Sequence, residues 1–473
     1  MRYLFILIMA IAMTSCDNYF YDEIKSQSLP LKLLIPFFTN QPPPPEGKTT
    51  STSTVFTGTY DGTDTDEAVS IIPLSDGGYL AAGNTRSSGA GGFDIILMEL
   101  DHYGNIEWQK TLGGSLDDKV RVIKKTSDSG YIIVGDTFSF GKGDSDIWVV
   151  KLNSAYNIEW EKAFGGTSTE TASGIVENSD GSLFVVGNTK SYGKGNYDFW
   201  MLKLDALGAL EWEKTFGLAN NDMAEGINLN NDGSYTIYGQ SDNAIAGKYV
   251  AFFYNVDEWG DLNYSTSLRG QESQYCRAFY QTTDNGYVAV MDSNSFLSLK
   301  YSIWTVKLSS DMRTVVWQKV INGDKYTYGK AAIAGEGSNI IIGGNTNSYG
   351  EGNFDFWLIE LSSAGALLNQ KTYGMSGLDY LNDIKDNGKD GYIMAGYSNS
   401  YGLGSNSMCI VSTDSAYYVT DSIIKVADSS ALAVDTAGTK SSIEFQSEYN
   451  SHHVEDVETN AIFKDGEIVS YYY

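Results

Sequence analysis

Short apolar runs, each ended by a polar or glycine-rich turn, alternate along most of the chain. Within 119–166, the runs at 131–134 and 146–152 are almost entirely apolar, and the run at 120–123 is apolar-rich. The run at 158–164 mixes apolar with charged residues. Strands that are apolar on both faces are covered from both sides, whereas a mixed strand lies nearer solvent. The pattern predicts four β-strands here, and no stretch has a helical period.

The same unit recurs seven times along the chain. Its marker is a small residue followed by two polar ones, with steps of 52 residues and a single step of 53. The marker begins at Gly83, Gly135, Gly187, Gly239, Met291, Gly344 and Gly396. A fixed period of this size indicates one supersecondary unit stacked on its neighbours. Four antiparallel strands per unit, covered on both sides, predict an all-β, seven-bladed propeller.

The seventh unit lacks an aromatic residue in its fourth strand. Trp108 and Trp160 occupy that position in earlier units, whereas Asp421 occupies it in the last. Phe56 lies one period before Trp108. We therefore expect residues 55–60 to complete the last blade, which closes the ring and removes two open sheet edges.

The N-terminus resembles a bacterial lipoprotein signal. A basic start and the apolar run 3–13 lead into Met13-Thr14-Ser15-Cys16, which is similar to a lipobox and implies that Cys16 is lipidated. The alternative is a secreted protein with a free cysteine. Six of the seven prolines precede the first repeat, so residues 16–52 are expected to form a tether. Its apolar segment 29–38 either docks on the propeller or lies at the membrane surface.

These features divide the chain into a signal peptide (1–15), a tether (16–52), the propeller (53–425) and a C-terminal segment (426–473). The C-terminal segment matches no repeat, although 442–445 and 467–472 have the composition of strands. It is either a small β appendage or a degenerate eighth blade, and we favour the appendage.

An acidic position recurs seventeen residues before the marker. It is occupied by Asp66, Asp118, Glu170, Asp222 and Asp379, with Gln274 and Thr327 in the other two units. We expect these residues to begin the innermost strands and to ring one mouth of the central channel. They form either an acidic funnel for cations or hydroxyl-rich ligands, or a repeated turn in which each carboxylate accepts hydrogen bonds from its own loop.

Little else in the chain predicts reactive chemistry. The glycine- and aspartate-containing loops 141–146, 193–198 and 350–355 faintly resemble calcium turns, but each offers about two side-chain ligands where calcium takes six to eight. Of the three histidines, His102 lies in a predicted turn and His452 and His453 in the tail, so no histidine triad or histidine metal site is expected. We predict no catalytic residue, metal or cofactor. The net charge of −27 disfavours nucleic acids and anionic lipid surfaces as partners.

The segments 113–118, 128–137 and 160–166 resemble the seven-bladed β-propeller repeats of bacterial lipoproteins. That resemblance implies a lipid-anchored, monomeric propeller in the cell envelope, at the outer membrane or surface, and it carries no catalytic residues. The main hypothesis is a non-enzymatic scaffold for a protein or glycan partner. The alternatives are a glycan hydrolase or lyase with carboxylates in the channel mouth, and an outer-membrane assembly scaffold. The last rests on the hairpin 204–212, which is similar to tryptophan-docking propeller repeats.

Overall fold

The computed structural model describes residues 55–217, 219–245, 247–296, 300–400 and 405–419, together with six short strands between 425 and 471. The predicted signal peptide, the lipidated Cys16 and the tether lie outside the described residues. Among the described residues, no helix has the length and apolar character needed to cross a membrane.

The predicted fold is confirmed: seven antiparallel sheets with four strands each form the seven blades. The chain enters through β1 (Phe56–Asp61). Blade 1 then contains β2 (Asp66–Pro73), β3 (Tyr79–Thr85), β4 (Asp94–Leu100) and β5 (Ile106–Leu112), and blade 2 contains β6 (Asp118–Lys125), β7 (Tyr131–Thr137), β8 (Asp146–Leu152) and β9 (Ile158–Phe164). Blade 3 contains β10 (Glu170–Glu177), β11 (Leu183–Thr189), β12 (Asp198–Leu204) and β13 (Leu210–Phe216).

The second half of the ring repeats this order. Blade 4 contains β14 (Asp222–Leu229), β15 (Tyr235–Ile245), β16 (Lys248–Val256) and β17 (Leu262–Arg269), and blade 5 contains β18 (Gln274–Gln281), β19 (Tyr287–Ser293), β20 (Ser302–Leu308) and β21 (Val315–Asn322). Blade 6 contains β22 (Thr327–Ala334), a 3-10 turn (Glu336–Ser338), β23 (Ile340–Thr346), β24 (Asp355–Leu361) and β25 (Leu367–Gly374). Blade 7 contains β26 (Asp379–Asp386), β27 (Tyr392–Ser398) and β28 (Ser407–Ser412).

The N-terminal strand closes the ring, as predicted. β1 pairs antiparallel with β28, with Phe56 opposite Ser412, and so becomes the fourth strand of blade 7. The hydroxyl of Tyr60 in this strand donates a hydrogen bond of 2.7 Å to the carbonyl of Gly104 in blade 1. Both ends of the described ring are thereby joined in one sheet, which leaves no open edge at the junction.

The core lies between the blades rather than inside any one of them. Trp148, for example, is 1% exposed and packs with Leu80, Ile95 and Ile133 from two neighbouring blades. The equivalent tryptophans Trp200, Trp304 and Trp357 are buried in the same way. These rings are structural because each fills the space between two sheets.

Short C-terminal strands add a fifth strand to six of the blades. β29 (Lys425–Asp428), β30 (Leu432–Asp435) and β31 (Thr439–Ser441) pair with the outer strands of blades 6, 5 and 4. β32 (Val457–Glu458), β33 (Lys464–Asp465) and β34 (Val469–Tyr471) pair with those of blades 2, 1 and 7. In sequence order, the six described strands therefore pair with the blades in reverse blade order. The described strands form the predicted appendage, not an eighth blade, while its boundary at residue 426 stays a prediction.

Candidate functional site

The acidic positions of the predicted channel mouth all begin innermost strands, and each is at most 2% exposed. They are Asp66, Asp118, Glu170, Asp222 and Asp379. Asp118 Oδ2 accepts hydrogen bonds of 2.7 Å from the amide of Gly114 and from the hydroxyl of Ser139. Glu170 Oε2 accepts one of 2.7 Å from the amide of Gly166. These contacts are those of the structural alternative, in which each acid holds its own loop. A ligand-binding role for the ring stays a prediction.

A neutral residue makes the same contact in blade 5. Gln274 Oε1 accepts a hydrogen bond of 2.9 Å from the amide of Gly270, four residues earlier, as the acids do in their own loops. Within the described residues, no group of three or more histidine, cysteine, aspartate or glutamate side chains is arranged to hold a metal. The site must therefore be sought among other residues of the channel.

The repeated marker is explained by contacts between neighbouring strands and blades. A β-carbon on Gly135 would overlap the carbonyl oxygen of Lys119, so glycine permits the close approach of the innermost strand. The next marker residue bonds to the following blade: Asp136 Oδ1 accepts a hydrogen bond of 2.7 Å from the amide of Ala172. Asn84, Asn188, Asp292 and Asn345 make the equivalent bond in their blades. The second marker residue therefore accepts a hydrogen bond that joins successive blades.

A β-bulge in every innermost strand directs one side chain into the channel. The register shifts between the third and fifth residues of each strand, as between Val120 and Val122 in β6. Bulges re-aim side chains in this way near functional sites. The bulged residues are Val69, Arg121, Ser173, Glu225, Arg277, Lys330 and Asn382. We call these seven residues the channel floor.

The charges of the channel floor are compensated by buried acids. Arg277 Nε lies 2.7 Å from Asp292 Oδ2 and its Nη1 lies 2.9 Å from Glu225 Oε1. Arg121 Nη2 lies 2.6 Å from Asp136 Oδ2. Both arginines belong to blades whose marker contains an aspartate, Asp136 or Asp292, so each of these buried carboxylates has a counter-ion.

Lys330 is the remaining cation of the floor. Its Nζ lies 4.8 Å from the centroid of the Tyr380 ring, within the range of a cation–π contact. Burial, reinforced by the charge of Arg277, lowers the pKa of Lys330. The amine of Lys330 therefore lies beside an aromatic ring of the channel mouth.

Seven aromatic side chains form a continuous row around one side of that mouth. Successive ring centroids lie 5.1, 6.0, 5.6, 5.8, 6.1 and 5.6 Å apart. The row contains Tyr249, Tyr275, Tyr301, Tyr328, Phe354, Tyr380 and Tyr397, all half-buried. We call it the aromatic arc. It crosses blades 4 to 7 and offers partly exposed ring surface along its whole length.

Two repeated positions supply most of the arc. Tyr275 and Tyr328 are second residues of innermost strands, whereas Tyr301 and Phe354 precede third strands. These two positions meet at the same mouth, so aromatic residues about half a repeat apart in sequence become neighbours in space. Our sequence reasoning missed the arc because it compared residues one whole repeat apart. The recurrence of aromatics at half the repeat length was the available signal.

Two carboxylates of the innermost strands are Glu67, the second residue of β2, and Glu225 of the channel floor. Glu225 Oε1 accepts hydrogen bonds from Arg277 at 2.9 Å and from Gln240 Nε2 at 3.0 Å. Glu67 Oε1 accepts one of 3.4 Å from Asn406 Nδ2. His102 lies in a turn next to Tyr103, as its sequence position predicted.

Comparison with known proteins gives likeness to solved structures only. No family model matches the chain. No curated protein matches it either. The α-L-arabinofuranosidase of Fusarium graminearum is 12% identical, with 62% of this chain and 93% of that chain covered and a TM-score of 0.43. The α-L-arabinanase of Penicillium chrysogenum is 11% identical, with 78% and 100% covered and a TM-score of 0.44.

The WD40 domain of Pan2 from Neurospora crassa is a third match. It is 9% identical, with 74% of this chain and 96% of that chain covered and a TM-score of 0.42. None of these likenesses transfers a ligand or an activity to this chain. The predicted membership in the bacterial lipoprotein repeat family stays a prediction, and any function must be argued from the site itself.

Proposed function

We propose that this chain is a non-enzymatic binding protein that holds a glycan on the aromatic arc. The arc is the single observation that carries the proposal. Binding sites commonly combine apolar or aromatic walls with a few placed polar groups. Here the arc supplies the wall, and Lys330, Asn382 and Ser173 of the channel floor supply polar groups below it.

A glycan fits this arrangement better than a protein surface. Sugar rings have apolar C–H faces that pack on aromatic rings and hydroxyl groups at their edges that need polar partners. The arc is a narrow, curved strip of tyrosines over a polar floor, whereas protein partners usually cover a broader surface with an apolar centre. The phenol group of Tyr301 also remains neutral and able to donate a hydrogen bond, since burial raises the pKa of Tyr301 to about 12.

Hydrolysis of the glycan is the alternative function. Most glycosidases need two carboxyl groups beside the scissile bond, one of them protonated. Glu225 accepts hydrogen bonds from Arg277 and Gln240, and Glu67 accepts one long hydrogen bond from an amide, so both carboxyl groups already have protein donors. These contacts favour binding without cleavage.

The test is a glycan array followed by calorimetric titration with the best ligand. Tyr275→Ala with Tyr328→Ala should weaken binding about 30-fold, since each truncated aromatic ring should cost about 1 kcal/mol. The matched control is Thr171→Ala with Met223→Ala, at the same strand position two blades earlier, which should change affinity less than about 2-fold. No array signal, or equal losses in both variants, would refute the proposal. Shortened glycans on the array would support the hydrolase alternative instead.

We also propose that Cys16 carries a lipid that anchors the protein outside the cytoplasm, in the cell envelope. The support is the signal-like start and the small residues before Cys16. One lipidated cysteine gives membrane attachment through its acyl chains. Cys16→Ser should move the protein from the membrane fraction to the soluble fraction of lysed cells. If the variant stays in the membrane fraction, the anchor is not at Cys16.

A further inference from the structure

Four junctions between blades place two carboxyl groups side by side. In each, the aspartate that begins a third strand faces the acid that begins the next innermost strand. The pairs are Asp94 with Asp118, Asp146 with Glu170, Asp198 with Asp222, and Asp355 with Asp379. All eight residues are at most 2% exposed. We call them the junction pairs.

A glycine marks the point where the two carboxyl groups of each pair converge. A β-carbon on Gly165 would overlap Asp146 Oδ1 and lie 2.8 Å from Glu170 Oε2. A β-carbon on Gly374 would overlap Asp355 Oδ1 and lie 2.9 Å from the second carboxyl of its pair. Gly113 and Gly217 occupy the same place in the other two pairs. The oxygens of the two acids are therefore close neighbours in a dry environment.

Asp146 and Asp355 each have one carboxyl oxygen that lacks a donor in the described part of the chain. Asp146 Oδ2 accepts hydrogen bonds from the amides of Lys142 and Gly143, at 2.7 and 3.3 Å. Its Oδ1 is buried without a hydrogen-bond partner in the described part of the chain, and the same holds for Asp355 Oδ1. These are the oxygens that point at the opposite acid. Two buried like charges at this distance repel strongly, so something must neutralise one of them.

Among the seven repeats, the two acids of a junction pair and the glycine beside them occur together. The other three junctions combine Val250 with Gln274, Ser302 with Thr327, and Ser407 with Asp66, and none of these contains two acids. The glycine is also replaced there, by Arg269, Asn322 and Asp61. Asp66 caps its loop although Ser407 takes the place of the third-strand aspartate, so loop capping alone does not require an acid at that position. The pair and its glycine therefore act as one unit.

We propose that the junction pairs of Asp146, Asp198 and Asp355 each bind one proton, which the two carboxyl groups share across the blade boundary. The proton comes from solvent and resides on Oδ1 of the first aspartate, which then donates a hydrogen bond to the nearest oxygen of the second acid. No other bond forms or breaks. In the pairs of Asp146 and Asp355 this hydrogen bond engages the unpartnered oxygen, and in each of the three pairs the proton removes one of the two charges, so the repulsion becomes an attraction between blades.

The electrostatic surroundings agree with this geometry. Burial, together with the nearby charge of Glu170, raises the pKa of Asp146 to about 6, and burial raises that of Asp198 to about 6. Burial and the charge of Asp379 raise the pKa of Asp355 to about 8. Lys142 and Lys194 in the adjacent loops oppose the first two shifts, whereas the backbone amide of Glu351 opposes the third and its side-chain charge supports it.

Two tyrosines and a cysteine near the pairs are neutral. Tyr192 lies near Asp146 and Glu170, and burial raises its pKa to about 12. Tyr254 lies near Asp198 and Asp222, and Cys409 near Asp379; burial raises the pKa of both groups. A metal ion fits less well than a proton, because two carboxylates in a site without solvent supply fewer oxygens than calcium requires.

The shared protons make stability depend on pH with a definite sign. The pKa values of Asp146, Asp198 and Asp355 are higher in the folded chain than the unfolded value of about 3.9, so the folded state binds more protons. Stability should rise as pH falls from about 8 to about 4. Over that range each such proton changes the unfolding equilibrium up to about tenfold per pH unit.

The test compares thermal unfolding of the full chain between pH 5 and pH 9. The variant is Asp146→Asn with Asp198→Asn and Asp355→Asn, because an amide keeps the loop contacts and donates permanently where the proton was. It should melt higher than the unsubstituted protein at pH 9 and lose most of the rise on acidification. Asp144→Asn with Asp324→Asn and Asp390→Asn removes three exposed charges and is the control for net charge.

Two further measurements keep the proposal falsifiable if the triple variant folds poorly. Asp355→Asn alone should give the largest single change near pH 8, and the infrared band of protonated carboxyl groups at pH 7 should shrink in it. An unchanged pH profile and an unchanged band would overturn the proposal. So would a fall in melting temperature at pH 8 on adding EDTA, reversed by calcium, because a cation would then occupy the pairs.

Discussion

The two sides of the channel mouth share one backbone but differ in chemistry. The positions that supply Tyr275, Tyr301, Tyr328, Phe354 and Tyr380 in blades 5 to 7 contain mostly other residue types in blades 1 to 3. Those are Glu67, Phe93, Lys119, Ser145, Thr171 and Tyr197. The two aromatics on the polar side are separated, and cations cover them: Lys119 lies 4.3 Å from the Phe93 ring and Lys190 lies 4.4 Å from the Tyr197 ring.

The comparison separates residue positions that are the same in nearly every repeat from positions that vary between repeats. The packing of the blades requires the glycines, the loop-capping side chains and the hydrogen bonds between blades, so these features recur in nearly every unit. The mouth positions carry no such packing role, and their side chains vary between the two sides. A one-sided strip of rings on a nearly symmetric ring is therefore the feature that a ligand would use.

The largest expected effect comes from removing a floor arginine. Arg277→Met leaves Asp292, which is 2% exposed, without its counter-ion, and should cost about 3 kcal/mol of unfolding free energy. Arg121→Met on the polar side should cost about half as much, because the Arg121 side chain is already 49% exposed. Urea unfolding of the two variants measures both losses.

Other blades of this chain indicate a second substitution that should restore the stability lost in Arg277→Met. Asn84, Asn188 and Asn345 make the inter-blade bond that Asp292 makes, without needing an arginine. Adding Asp292→Asn to Arg277→Met should therefore recover most of the lost stability. If the double variant is no more stable than the single one, the loss came from packing and not from an uncompensated charge.

The fold was predictable because its determinants repeat. The marker recurs at intervals that differ by at most one residue, and this recurrence indicated seven blades. Phe56, one period before Trp108, indicated the closing strand. The position of Asp118 and its equivalents at the start of innermost strands was also predictable. Their burial was not, because a loop that folds over a carboxylate and one that leaves it in water look alike in sequence.

The candidate site was harder to predict, since it depends on contacts between blades. Tyr301 and Tyr328 stand in different blades and at different strand positions, and only the ring geometry brings them within 5.6 Å. The junction pair of Asp355 and Asp379 is hidden in the same way. A pattern read along the chain finds residues that repeat within a blade more easily than residues that meet between blades.

Lengthening the arc should give the smallest effect, a gain in affinity. Met223 is the second residue of β14 and stands between Tyr197 and Tyr249 at the spacing that the arc uses. Met223→Tyr should join these two rings and strengthen glycan binding about 2- to 10-fold, because an aromatic pair contributes about 0.5–1.5 kcal/mol. Calorimetric titration with oligosaccharides of increasing length measures the gain, which should be greatest for the longest ligands.

Thr171→Tyr is the matched control, since it places the same ring at the same strand position one blade away from the arc. It should change affinity less than about 2-fold, because Met223 still separates the new ring from Tyr249. Equal gains from both substitutions would mean that any added tyrosine attracts the ligand. In that case the continuity of the arc would not determine binding, and the difference between the two sides of the mouth would lie only in the number of rings.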